Sequence, residues 1–159
     1  MIKLNIYEEL QQEAFDNNII LKEIPLKSNS DGLYLNGKIA LNKNKLFSDK
    51  EKACVLAEEL GHHYTSIGNI INLNDLGNLK QEYRARSVAY EKLIGLNKLI
   101  EAFKYDFENK FEFIDYLGVT ESFFEDAIIY YKNKYGLSVD IKNYTITFEP
   151  VIQITKRLE

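Results

Sequence analysis

Both histidines of the chain, His62 and His63, sit side by side and follow two adjacent glutamates, Glu58 and Glu59, in the stretch Ala53-Cys54-Val55-Leu56-Ala57-Glu58-Glu59-Leu60-Gly61-His62-His63-Tyr64. On an α-helix, positions i and i+4 point the same way one turn apart, so Glu58 and His62 can grip one cation. Glu59 is rotated from Glu58 by about a third of a turn, which lets it lie beside the ion and reach a solvent molecule instead of ligating. The alternative pair, Glu59 with His63, puts Leu60 where a proton acceptor belongs, so the Glu58–His62 register is preferred. His63 is then a group behind the ligands, a substrate contact or an exposed surface residue. Gly61 lets another backbone or a substrate come close.

The order Glu58-Glu59-Leu60-Gly61-His62 has the shape of the zinc-peptidase helix His-Glu-x-x-His, with glutamate in the first ligand position. A tetrahedral catalytic site needs a third protein ligand and one open position. Glu82 is the best candidate, because Ala85, Ala89 and Leu93 follow it at i+3, i+7 and i+11. The two alanines on that stripe let a second helix pack tightly on the first and carry Glu82 to the ion. Two glutamates and one histidine leave a divalent ion formally neutral, where two histidines and one glutamate leave it at +1. Less residual charge means weaker activation of a solvent nucleophile. Oxygen-rich ligation also moves the preference towards Mn²⁺, Fe²⁺ or Mg²⁺, although carboxylates bind zinc as well. Taken alone, such a short motif is more often a solvated helix face than a metal site.

Positioning these residues requires a defined set of elements. Ile6, Leu10, Ala14 and Phe15 predict an amphipathic helix over 5–16. Ile19 to Ile24, stopped by Pro25, reads as a strand. Leu33-Tyr34-Leu35 and Lys38-Ile39-Ala40-Leu41 flank Asn36-Gly37, the pair suited to a type I′ turn, and so predict a hairpin in a small antiparallel sheet. Ser48-Asp49-Lys50-Glu51 is a capping box that starts the central helix near Asp49. Ala53, Leu56, Ala57, Leu60 and Tyr64 form its expected buried face. Gly68 through the Asn-rich run to Asn78 reads as a polar loop, followed by a helix from about Leu79 to Leu93 that Gly95 interrupts before a helical pattern resumes to Phe103. Phe111, Ile114 and Leu117, then Gly118, then Thr120 as N-cap with Phe124, Ala127, Ile128 and Tyr131, predict a helix–turn–helix ended by Gly136. Tyr144 to Phe148 alternates like a strand.

The 159 residues, 45% apolar and 28% charged, suit one folded domain with a substantial core. The net charge of -4 gives no basic surface for nucleic acid. Cys54 is the lone cysteine, which excludes an internal disulfide framework and suits a reducing compartment. Mid-helix among apolar neighbours, it reads as a core residue. No signal peptide or membrane-length apolar run is evident, and a cytoplasmic location is expected.

Ile39-Ala40-Leu41-Asn42, Leu56-Ala57-Glu58-Glu59-Leu60-Gly61-His62 and Glu82-x-x-Ala85-x-x-x-Ala89-x-x-x-Leu93 resemble the ImmA/IrrE family of metallopeptidases over roughly residues 5–135. The resemblance implies an α+β, mainly helical zincin-like domain with a small antiparallel β-sheet. The expected single domain, 1–159, comprises an N-terminal helix and sheet (1–47), the metal-site helices (48–104), a helix–turn–helix-like part (105–136) and a C-terminal strand or tail (137–159). Family members act on helix–turn–helix repressors of phages and mobile elements, which relieves repression. Carried over, the resemblance makes Glu59 the catalytic glutamate, His62 and Glu82 metal ligands, and zinc the expected metal. Glu58 stands where the family has its first histidine and keeps Mn or Fe open.

Two rival readings follow from the same residues. One is a catalytically weakened regulator of this fold that binds a repressor or other partner protein. The other, ranked below it, is a DNA-binding helix–turn–helix protein. Against that, the second helix begins Thr120-Glu121-Ser122-Phe123-Phe124-Glu125-Asp126, which repels phosphates where a recognition helix needs basic and amide groups. Neither direct nucleic-acid binding nor membrane association is expected.

Overall fold

Asn5 opens the first helix, α1 (Ile6–Asp16), with a reciprocal cap: its side chain accepts from the Glu8 amide while the Glu8 carboxylate accepts from the Asn5 amide. The computed structural model describes residues 2–66 and 75–158. The chain divides into two units, Met1–Ala89 and Tyr90–Glu159.

In the first unit, α1 leads into β1 (Ile20–Ile24), then the hairpin β2 (Gly32–Leu35) and β3 (Lys38–Asn42). Asn36 and Gly37 take φ values of 47° and 74°, the paired positive values that the tight turn demands. The sheet order is β1-β3-β2. β2 runs antiparallel to β3, but β1 runs parallel to it. The N-terminal sheet is therefore mixed rather than antiparallel. After Pro25 the chain crosses to the far edge before turning back, which leaves β3 in the centre. Its Ile39 and Leu41 are each 1% exposed.

Ser48 and Glu51 cap α2 (Asp49–Ser66) as the capping box predicts, the Ser48 hydroxyl accepting from the Glu51 amide and the Glu51 carboxylate from the Ser48 amide. Ala53, Leu56, Ala57 and Leu60 are buried. Tyr64, expected among them, is 36% exposed and donates to the Glu13 carboxylate at 2.6 Å. It lies in the last turn of α2, with its hydroxyl turned to α1.

The next helix, α3 (Asp75–Leu93), begins four residues before the predicted start at Leu79. Gly77 and Asn78 are poor helix formers, yet both are helical here, a case of context overriding propensity. Of the predicted polar loop Gly68–Asn78, residues 75–78 belong to this helix, and the rest lies outside the described residues. Ala85 and Ala89 are fully buried.

The second unit takes up the end of α3 and adds α4 (Leu96–Phe103), α5 (Lys110–Leu117) and α6 (Glu121–Tyr135). Gly95 is the N-cap of α4, and Gly118 ends α5 with φ 72°. Thr120 caps α6 by accepting from the Phe123 amide. Ile114 and Leu117 are buried, but Phe111 is 68% exposed. The single expected C-terminal strand is one of three in an antiparallel meander: β4 (Ser138–Ile141), β5 (Tyr144–Thr147) and β6 (Gln153–Lys156). Ile146, Phe148 and Ile154 bury one side of it. The architecture is α+β and mainly helical. Among the described residues, no helix is long and apolar enough to cross a membrane.

The tightest constraint in the first unit is at Gly61. A Cβ there meets the Ala85 carbonyl oxygen at 2.2 Å, so α2 and α3 cross at a spacing only glycine permits. Gly61→Ala should cost about 1–3 kcal/mol, read as a fall in melting temperature of about 2–4 °C per kcal/mol. Arg84→Ala, on the exposed side of α3, should change stability by less than about 0.5 kcal/mol. An unchanged melting temperature for Gly61→Ala refutes the close crossing.

Candidate metal centre

Three side chains from two helices converge at that crossing. Glu58 and His62 stand one turn apart on α2, and Glu82 faces them from α3, one turn before the buried Ala85. One ligand atom from each lies within 4.8 Å of the others, a Glu–His–Glu group that can hold a metal ion. His62 Nε2 and Glu82 Oε1 are 3.3 Å apart. Bonds of about 2.0–2.1 Å to a tetrahedral zinc place neighbouring ligand atoms about 3.3 Å apart. One edge of the set already has that spacing, and the donor chemistry, two carboxylates and an imidazole, suits a divalent cation.

Glu59 occupies a different position. It is 7% exposed, whereas the Glu58, His62 and Glu82 side chains keep partial solvent access. Strand β2 lies directly over it: a Cβ on Gly32 meets Glu59 Oε1 at 2.8 Å and Val55 Cγ1 at 2.7 Å. The absence of a side chain at Gly32 is therefore what makes room for the Glu59 carboxyl. Burial first, and then the negative charges of Glu58 and Glu82, push its pKa up to about 8.

These groups line a cleft of about 480 Å³, walled on one side by Ser30 to Tyr34 and on the other by Gln81, Glu82 and Arg86. Asn42, 3% exposed, pins the first wall: its amide nitrogen donates to the Ser30 carbonyl at 3.0 Å and its backbone N–H to the Asp31 carbonyl at 2.8 Å. His63 does not line the cleft. Its Nδ1 lies 3.0 Å from the Tyr34 hydroxyl, and its ring stands edge-on to Tyr34 and Tyr64, so it braces a wall residue from behind. Cys54 is buried, as a core residue should be.

Sequence reasoning missed the roles of Gly32 and Asn42 and did not name the partner of Arg86. The Arg86 Nε donates to Glu58 Oε1 at 3.2 Å, so a cation of the chain itself holds one candidate ligand. Its spacing of i+4 from Glu82 was the available signal, because it puts both on one face of α3. Gly32 and Asn42 act through tertiary contacts that carry no local pattern. No protein-family model, curated protein or solved structure matches the chain.

The Glu59 carboxyl generates a pH test on metal-free protein. Below about pH 4.5 it is protonated in both folded and unfolded chains. Between there and about pH 8 only the unfolded chain ionises, so folding stability falls as pH rises through that window and levels off above it. Glu59→Gln removes this penalty. In chelator-treated protein the variant should gain on wild type from pH 5 to pH 8, reaching on the order of 2–4 kcal/mol. A gap that does not change with pH contradicts the assignment.

Proposed function

We propose that the chain is a metal-dependent endopeptidase of the ImmA/IrrE type that acts in the cytoplasm on a helix–turn–helix repressor of a phage or mobile element. The observation that carries this reading is the Glu58–His62–Glu82 group with a buried, proton-holding Glu59 beside it on one cleft floor. Zinc is the metal favoured by the resemblance, and the carboxylate-rich donor set also suits manganese or iron.

A divalent cation held there supplies Lewis acidity towards a peptide carbonyl and a solvent molecule. Glu58, His62 and Glu82 would hold it. Glu59 takes a proton from the attacking solvent on its carboxylate and returns it to the departing amine nitrogen, a role suited to a carboxyl that lines the cleft beside the three ligands. The cleft walls orient the substrate chain across these groups.

A second reading, a regulator that binds a repressor without cutting it, is favoured by the Arg86–Glu58 ion pair and by the glutamate in the first ligand position. DNA binding is the weakest reading, since Glu121 and Glu125 at the exposed start of α6 pair with Lys110 and leave no basic reading face there.

Full-length protein incubated with zinc, manganese or iron and a helix–turn–helix repressor from the same genetic element should cleave that repressor. Glu59→Gln should retain the metal and lose at least about 10²-fold in cleavage rate. His62→Ala and Glu82→Ala should lose the metal itself, measured by elemental analysis after dialysis. Repressor binding without cleavage in any of the three metals supports the regulator instead.

A further inference from the structure

Arg86 is the one cationic side chain lining the cleft, among the described residues, and it faces the ligand that departs from the usual peptidase helix. Its guanidinium and the Glu58 carboxylate form an ion pair at 3.2 Å, with 54% and 29% of the two side chains exposed. Arg86 stands one turn beyond Glu82 on α3, so a single helix presents both a ligand and a positive charge to the same site. A cation bound by Glu58 lies roughly 5 Å from that guanidinium, counting one metal–oxygen bond and one hydrogen bond.

Charge arithmetic gives this arrangement its meaning. A divalent ion on two carboxylates and one neutral imidazole carries no net charge. Adding the Arg86 guanidinium returns the assembly to +1, the value for two histidines and one glutamate. We propose that Arg86 is a tethered counter-charge for the Glu58 ligand: it holds the Glu58 carboxylate when no metal is present, opposes metal entry, and keeps the loaded site electropositive. The inference rests on the metal-binding reading above.

Arg86 thereby sets how much free metal the site requires. Its side chain is half in solvent, so the interaction is screened but not abolished. Two charges on the ion and one on the arginine, at about 5 Å in a water-like dielectric, correspond to roughly a tenfold change in affinity. The sign is opposite to that of a residue that merely orients a ligand, whose loss weakens binding.

A charge series at position 86 tests this on the full-length chain. Zn²⁺ and Mn²⁺ affinities are measured by competition with a chromophoric chelator for wild type, Arg86→Lys, Arg86→Gln and Arg86→Glu, with circular dichroism confirming the fold of each. Arg86→Lys should bind like wild type, Arg86→Gln on the order of tenfold tighter, and Arg86→Glu tighter still. The spread should narrow as salt rises from about 0.05 to about 1 M. Affinities that are equal across the series, or weaker in all three variants, overturn the counter-charge role while leaving the metal site standing. No metal binding by any of the four proteins removes the metal reading itself, and this inference with it.

Discussion

The candidate site depends on the contact between Gly61 and the Ala85 carbonyl. With 2.2 Å between that oxygen and the place a Cβ would take, the α2 and α3 backbones meet without an intervening side chain. Glu58 and His62 lie within one turn of Gly61, and Glu82 within one turn of Ala85. Ligating atoms from two helices fall within 4.8 Å of each other only because the helices touch there. The alanines at 85 and 89 continue the thin stripe on α3, and both are fully buried. Bulk at any of these positions separates the helices and moves Glu82 away from its partners.

A second glycine does the corresponding work at the roof of the site. Gly32 opens β2, and the space where its side chain would stand is filled by Glu59 and Val55. The loop leading to Gly32 is fixed from the far end of β3, where the buried Asn42 binds Ser30 and Asp31. A bond between Lys45 and Asp31 adds to the same clamp at the surface. Central strand, cleft wall and proton-holding carboxyl are thus linked through one asparagine and one missing side chain. The mixed sheet serves this arrangement: with β3 in the middle, β2 becomes the edge beside the cleft.

Most of the first unit could be read from local patterns because local physics decides them. Asn36-Gly37 takes the two positive φ values it is suited to, and the Ser48–Glu51 box starts α2 where the hydroxyl and carboxylate can satisfy free amides. Helical spacing alone put Glu58 and His62 on one face, and the small-residue stripe pointed to Glu82. What escaped were the features set by distant partners. The parallel pairing of β1 with β3 depends on a crossing loop, not on the strand's own residues. Tyr64 has the right period for burial but stays partly exposed, its hydroxyl drawn to Glu13 of α1. The four-residue strands β4 and β6 carry one or two apolar residues each, a weak local signal, and they are stabilised by pairing with β5 in the meander they complete. The pairing of Arg86 with Glu58 joins two helices and leaves no mark in the local sequence of either.

The electrostatics of the cleft tie its four acidic and basic functions together. Glu58, Glu59 and Glu82 bring three carboxyl groups to one small volume, and the low exposure of Glu59 makes a third negative charge there costly. The chain answers with a proton on Glu59, held up to about pH 8, and with a guanidinium on Glu58. Both are local substitutes for positive charge. On the metal-binding reading proposed above, an ion held by Glu58 and Glu82 would offset the negative charges that keep the Glu59 proton, with Arg86 still beside Glu58. That arrangement gives the glutamate at 58 a physical consequence. A histidine at 58 would neither raise the proton affinity of Glu59 by its charge nor attract Arg86, so the one glutamate accounts for part of the Glu59 proton affinity and for the position of Arg86.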